Sequence, residues 1–220
     1  MKTIHRTLCL LSFLPLAACA ATGPEPPVHT ISFEADAIGA VPQGFGIAET
    51  NGIGHTASWR VENGVDPDDP GHVVGVDTAN SGSTYNLLLS AADFPADCAL
   101  SVYLLPCSGD EDQGGGLLWR ARDADNYYVA RWNPLEDNVR LYTVIGGERT
   151  MLASADVEAA PRVWHRLAVT MRGDAITVAF DGKTLIQHRD TTFSAAGRVG
   201  LWTKADAATR FDRIEWSELP

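Results

Sequence analysis

Positive charge is scarce in this sequence. It contains 17 lysine and arginine residues against 28 aspartate and glutamate residues, so its formal net charge is −11 at pH 7. Non-specific binding of nucleic acid depends on an excess of positive charge near the phosphates. The composition therefore argues against nucleic acid as a partner.

The chain also lacks an apolar run of membrane-spanning length at its start. The run from Leu8 to Leu16 is short beside the roughly 20 residues that a spanning helix needs. It follows Lys2 and Arg6 and precedes small residues, which is the order typical of a secretory signal. Residues 1–18 are therefore predicted to be a cleaved signal peptide, and the remainder is long enough for one domain with a sizeable core.

The last residues of this signal, Leu16-Ala17-Ala18-Cys19, resemble the signal of bacterial lipoproteins. In that family the cysteine becomes the lipidated first residue of the mature chain. The resemblance implies lipidation at Cys19, a lipid anchor in a membrane and a location in the bacterial cell envelope. Ala20, where an aspartate could stand, implies the outer membrane, facing the periplasm or the exterior. Ordinary signal cleavage, with Cys19 as a bystander, is the alternative.

The rest of the chain has the pattern of an all-β domain. Residues 19–29 are a proline-rich tether, and short alternating apolar runs separated by Gly, Asp, Asn and Pro follow it. Gly146-Gly147 and Asp181-Gly182 predict tight hairpins. Strands are predicted at residues 30–35, 57–62, 72–77, 85–90, 98–105, 115–122, 126–133, 138–145, 149–154, 163–172, 174–180, 184–189, 197–203 and 209–217. The pattern predicts that residues 30–220 form one monomeric, two-sheet antiparallel β-sandwich of jelly-roll type.

Several segments of this domain resemble concanavalin A-like lectin and glucanase domains of bacterial envelope proteins. The resemblance rests on residues 33–36, 39–45, 111–120, 125–131, 135–139, 164–165 and 197–206. It spans about residues 31–217 and is nearest to family 16-like and keto-disaccharide hydrolase (domain of unknown function 1080) proteins. It implies a jelly-roll fold and a carbohydrate ligand or substrate.

The catalytic motif of that superfamily is missing. Its retaining glucanases carry Glu-x-Asp-x-x-Glu on one strand, with two carboxylates about 5 Å apart. Here Glu34-Ala35-Asp36 has no third acid, and the acids at 110–112 are consecutive. An orthodox glucanase is therefore not expected. A glycoside hydrolase acting on keto-disaccharides, with or without a metal, is the alternative that the resemblance implies. A structural or protein-interaction module of the envelope is the third hypothesis.

Acidic loops at residues 66–69, 110–112, 123–126 and 136–138 raise the question of a cation. Calcium takes six to eight oxygen ligands, but none of these loops has the spacing of a calcium-binding loop, and Asp and Asn also form ordinary turns. The histidines show no ligand spacing. We therefore expect no metal site and no cofactor, with structural calcium as the alternative.

The candidate ligand site lies on three central strands, where alternation separates two faces. Trp119, Tyr128 and Trp132 are predicted to be buried between the sheets. The opposite, exposed concave face is predicted to carry Arg120, Tyr127, Arg131, Asn133, Asn138, Arg140 and Tyr142. Gln113, Glu136 and Asp137 are the candidates to offset the arginine charges or to complete the site. Aromatic rings stack on sugars, and Arg and Asn donors reach hydroxyls and carboxylates. The sequence thus predicts an envelope-anchored carbohydrate-binding or accessory domain, although a solvated polar sheet face would show the same pattern.

Overall fold

The computed structural model describes residues 26–64 and 71–220. The predicted signal peptide, Cys19 and the acidic loop at 66–69 lie outside these residues. Within them, no helix is long and apolar enough to cross a membrane. The strands are β1 His29–Ile31, β2 Phe45–Thr50, β3 Ser58–Asn63, β4 His72–Asp77, β5 Tyr85–Phe94, β6 Cys98–Ser108, β7 Gly115–Asp123, β8 Asn126–Asn133, β9 Asn138–Ile145, β10 Glu148–Asp156, β11 His165–Arg172, β12 Ala175–Phe180, β13 Lys183–Arg189, β14 Gly197–Lys204 and β15 Ala208–Glu218.

These strands form two antiparallel sheets. Sheet A has the order β13-β12-β11-β6-β15-β4-β3, with β1 also paired to β15. Sheet B has the order β10-β9-β8-β7-β14-β5-β2. The predicted two-sheet antiparallel sandwich is therefore confirmed.

The strand pattern of the sequence locates nearly all of these elements. Each predicted strand overlaps a strand of the structure, and β2 is the strand that the pattern misses. The two predicted hairpins connect β9 to β10 and β12 to β13 through two residues each. All four turn residues, Gly146, Gly147, Asp181 and Gly182, have φ between 47° and 82°. This left-handed backbone fits the right-handed twist of the flanking strands.

The main core lies between the sheets and contains side chains from both. Trp119, Tyr128 and Trp132 belong to it and have no exposed surface, as predicted from alternation. The Trp132 ring of sheet B lies 4.6 Å from the ring of His165 and 5.0 Å from that of Phe180, both adjoining sheet A. These contacts join the two sheets through aromatic packing.

Candidate functional site

The face of sheet B that points away from sheet A, called here the free face, carries a second apolar cluster. Its members alternate along the strands with residues of the main core, and each is at most 4% exposed. The cluster consists of Tyr85, Leu87, Leu89, Leu118, Ala121, Tyr127, Val129, Tyr142, Val144 and Trp202. An ordinary solvent-facing sheet surface would be polar and exposed. The free face is therefore a packed surface.

Contacts between distant corners of sheet B help to enclose this cluster. The Thr50 hydroxyl at the end of β2 lies 2.8 Å from the Tyr127 hydroxyl and donates to the Ala124 carbonyl. The next residue, Asn51, donates to the carbonyl of Gly147 at 2.8 Å. These bonds hold the end of β2 against the β7–β8 and β9–β10 hairpins. Because side chains from distant strands of the sheet meet over the free face, that face is concave.

A hydrogen-bonded network centred on Arg131 occupies one side of the free face. The buried guanidinium of Arg131 donates to Asn138 Oδ1 at 2.5 Å, to Glu136 Oε2 at 2.7 Å and to the Tyr142 hydroxyl at 3.2 Å. Arg140 lies directly opposite Arg131 on β9 and contacts the same Glu136 oxygen at 2.9 Å. Glu136, one of the three candidates to offset the arginine charges, thus pairs with two arginines. The network holds Arg131 rigidly while leaving Glu136 and part of Arg140 open to solvent.

The charges in this network fix its protonation. Burial opposes ionisation of Glu136, but the charges and hydrogen bonds of Arg131, together with Arg140 and Asn138, outweigh it and lower the pKa of the carboxyl. The pKa of Arg140 is raised by its hydrogen bond to Tyr142 and the charge of Glu136, against an opposing effect of burial. Both shifts favour the charged forms of Glu136 and Arg140.

A second pair of charges lies beside it. Asp112 is buried, accepts a hydrogen bond from Asn133 Nδ2 at 3.1 Å and lies 3.1 Å from Lys204 Nζ. Burial raises the pKa of Asp112, although the charge of Lys204 opposes the shift. Asn133, predicted as a ligand contact, instead has its amide engaged by this buried carboxylate. Sequence reasoning missed the Lys204–Asp112 pair because the two residues lie in distant segments.

Arg149 on β10 also lies on the free face, and the sequence interpretation did not include it. Its guanidinium carbon lies 4.3 Å from the ring centroid of Tyr142, 5.2 Å from Tyr85 and 5.8 Å from Trp202. Its partner across the β9–β10 ladder is Val144, which faces the same side as Tyr142. If the alternation argument had been applied to β10 as well as to β7, β8 and β9, it would have placed Arg149 on this face.

Arg149 borders an open cleft at the β9–β10 hairpin. The cleft has a volume of about 440 Å³ and is lined by Asn51, Ser83, Tyr85, Gly146, Gly147, Glu148 and Arg149. Pockets of about 300–1,000 Å³ are typical of sites for small ligands. The Tyr142 ring also lies 5.8 Å from the guanidinium carbon of Arg131, so it connects the cleft to the network.

The structure overturns one placement, that of Arg120. We predicted this residue on the exposed face, but it is 3% exposed and donates to the carbonyls of Ala96, Phe193 and Gly173. Its φ of 47° and the irregular register after Trp119 indicate a β-bulge, which interrupts the alternation of sides. Arg120 therefore joins the ends of the two sheets and lies away from the Arg131 network.

The predicted exposure is also wrong for most of the other residues. Tyr127, Arg131, Asn133, Asn138 and Tyr142 are each at most 4% exposed, because the coiled sheet and its neighbouring side chains cover them. Burial raises the pKa of Tyr127, whose hydroxyl is bonded within the protein. Of the predicted set, Arg140 and Glu136 are the members with substantial exposure, at 30% and 42% of the side chain.

Hydrogen bonds within the protein hold two of the acidic loops. The carboxylate of Asp206 accepts hydrogen bonds from the backbone of residues 110–112, and Asp123 accepts from the backbone of Asp125 and the amide of Asn126. In the parts of the chain that the structure describes, no three His, Cys, Asp or Glu side chains are grouped to hold a metal ion. The loop at 66–69 lies outside those parts.

No family model and no curated protein matches the chain. Among solved structures, the carbohydrate-binding module CBM66 from Bacillus subtilis is similar with a TM-score of 0.63 and 20% identity, covering 80% of this chain and 96% of that one. The VIP36 exoplasmic/lumenal domain, in its Ca²⁺/Man-bound form, gives 0.59 and 14%, covering 87% and 90%. Domain 4 of AbnA, a GH43 extracellular arabinanase from Geobacillus stearothermophilus, in complex with arabinotriose, gives 0.54 and 14%, covering 86% and 90%. The chain thus shares the two-sheet jelly-roll fold of these solved domains.

Proposed function

We propose that the chain is a carbohydrate-binding domain whose ligand lies on the free face of sheet B. The observation that carries the proposal is the Arg131–Glu136–Arg140 network beside the rings of Tyr142, Tyr85 and Trp202. The rings are buried and support the network, and the part-exposed groups of Arg140 and Glu136 suit the hydroxyls of a sugar. Three solved domains of this fold, described as a carbohydrate-binding module, a mannose-bound form and an arabinotriose complex, support the choice of ligand class.

Arg140→Ala should lower affinity for the bound glycan by about tenfold or more, because a charge-assisted hydrogen bond contributes roughly 1.5–3 kcal/mol. Arg140 suits the test because it is part-exposed and faces the ligand side, whereas truncating buried Arg131 would also disturb folding. The measurement is isothermal titration calorimetry with glycans that bind the wild-type domain on a glycan array.

Arg189→Ala is the matched control. Arg189 is an exposed arginine paired to Asp174 on sheet A, so its loss should leave affinity within about twofold, as for other exposed pairs. Equal affinity of the Arg140 and Arg189 variants would show that the network is not part of the binding site. A wild-type domain that retains no glycan on the array would contradict the proposal itself.

Hydrolysis is the second candidate, and one observation favours it. Glu136 and Asp112 are neighbouring carboxyls whose pKa values shift in opposite directions, a pattern that suits acid–base chemistry. Binding is the better-supported function because Asp112 is buried and engaged by Lys204 and Asn133. Reducing-sugar release by the wild type, abolished in Asp112→Asn, would favour the enzyme.

We also propose that Cys19 anchors the domain in a bacterial envelope membrane. The proposal rests on the Leu-Ala-Ala-Cys pattern at residues 16–19. Cells fed an alkyne fatty acid should label the wild-type protein, and Cys19→Ser should abolish the label and release the protein from the membrane fraction. Cys107→Ser controls for the loss of another thiol. Label that persists in Cys19→Ser would exclude the anchor.

A further inference from the structure

The free face groups several cationic side chains, although the chain as a whole is acidic. Four cationic side chains lie on it: Arg131, Arg140, Arg149 and Lys204. Glu136 is shared by the first two, and Asp112 pairs with the lysine. On the same side of the sheet, Asp156 of β10 lies opposite Asn138 and is exposed to solvent. Like charges grouped together are costly unless an anion offsets them.

Arg149 is the cation that remains unpaired. Among the described residues no carboxylate lies within ion-pair distance of it, and its Nη1 is buried without a hydrogen-bond partner. Its guanidinium instead lies against three aromatic rings, which stabilise a cation but accept no strong hydrogen bond. Buried guanidinium nitrogens ordinarily have an acceptor. Arg149 as a whole is only half-buried, so a ligand acceptor has access to its guanidinium.

The cleft beside Arg149 gives such an acceptor room. Its lining adds the polar side chains of Asn51 and Ser83 and the glycine backbone of the hairpin. Glu148 also lines it but is exposed to solvent, where its charge is screened. Arginine presents two parallel N–H donors that match the oxygens of a carboxylate or sulfate.

We propose that the glycan bound by this domain is anionic and that its carboxylate or sulfate group is received by Arg149 in this cleft. The inference rests on the proposed carbohydrate-binding function and narrows its ligand class. The buried rings of Tyr85, Tyr142 and Trp202 then hold Arg149 in place, and the part-exposed side chains of Arg140 and Glu136 contact hydroxyls of the neutral part of the sugar.

The test is a glycan array that pairs each acidic glycan with its neutral counterpart: uronic acids with their carboxyl-reduced forms, and sulfated sugars with their desulfated forms. The wild-type domain should bind the acidic member of a pair and not its neutral counterpart. Calorimetry on a retained glycan should show affinity falling by about tenfold or more in Arg149→Gln, since a charge-assisted pair is lost. Affinity should also fall with added NaCl. Whether carboxylated or sulfated pairs are retained identifies the anion.

Two variants control for charge and for stacking. Glu148→Gln removes the carboxylate at the same cleft and should leave affinity for the acidic glycan unchanged or raise it. Arg122→Gln removes another arginine stacked on an aromatic ring, that of Phe193 at 5.0 Å, outside the cleft, and should not change affinity. Thermal denaturation of each variant verifies folding.

The outcomes separate this inference from the proposed function. If the wild type bound neutral glycans and Arg149→Gln bound them as tightly, the proposal of an anionic ligand would be wrong, whereas carbohydrate binding would stand. Retention of no glycan by the wild type would overturn both. Retention of acidic glycans with full affinity in Arg149→Gln would exclude Arg149 as the receiving group.

Discussion

Trp132→Ala should lower the free energy of unfolding by about 3–5 kcal/mol, the usual cost of truncating a buried large aromatic side chain. Trp132 has no exposed surface and lies between the two sheets, with its ring against His165 and Phe180. Alanine would remove contacts with both sheets and leave a cavity at the level where they meet. Urea denaturation followed by circular dichroism measures the change.

Two variants test whether burial is the cause. Trp132→Phe keeps a ring and removes an indole N–H that is buried without an acceptor, so it should retain most of the stability. Trp216 is half-buried and packs on His29 and Phe94, so Trp216→Ala should cost less than Trp132→Ala. Equal losses for the two alanine variants would contradict the assignment of Trp132 to the centre of the core.

The sequence predicted the fold well because the signal for a strand is local. Alternation along β8 correctly assigned Tyr128 and Trp132 to the main core and Tyr127 to the opposite face. β2 was missed because it is an edge strand that pairs with β5 alone, and its sequence contains Gly46 and Ala48 where an inner strand would carry larger apolar residues. An edge strand needs few apolar side chains, so its pattern is weak.

The candidate site was predicted less well because burial depends on the curvature of a whole sheet. Alternation correctly brought Arg131, Arg140 and Tyr142 to one face, and charge balance suggested three candidates, of which Glu136 pairs with both arginines. Neither argument could show that the end of β2 lies against two distant hairpins, because Thr50 and Tyr127 are 77 residues apart in the chain. The exposed polar face that we expected is therefore a packed concave face with few accessible polar groups.

Arg120 shows a different limit. A β-bulge shifts the side-chain alternation by one residue, and no local pattern in the sequence marks its position. The bulge turns Arg120 away from the free face and toward the end of the sandwich. There its guanidinium donates to three backbone carbonyls and contacts Asp97 at 3.1 Å. Those acceptors come from the β5–β6 and β11–β12 connections and from the segment before β14.

Arg120→Ala should therefore destabilise the fold by about 3–5 kcal/mol, because it leaves several buried acceptors without a donor. Arg120→Lys should recover part of the loss. Its ammonium keeps the charge but lacks the planar set of donors with which a guanidinium reaches all of these acceptors. Arg120→Gly should be less harmful than Arg120→Ala, because glycine adopts a φ of 47° without strain. Urea denaturation of the variants gives the three differences.

Arg122→Ala is the control for this series. Arg122 lies two residues away, is exposed and stacks on Phe193, so its loss should cost less than about 1 kcal/mol. Glycan affinity, measured at a temperature where the Arg120 variants remain folded, should equal that of the wild type because Arg120 does not reach the free face. If Arg120→Ala kept full stability and lost glycan binding, Arg120 would be a ligand residue after all, as alternation alone had predicted. If Arg120→Ala instead lost stability and kept its glycan affinity, Arg120 would be a structural residue, and the ligand would contact the network and cleft on the free face.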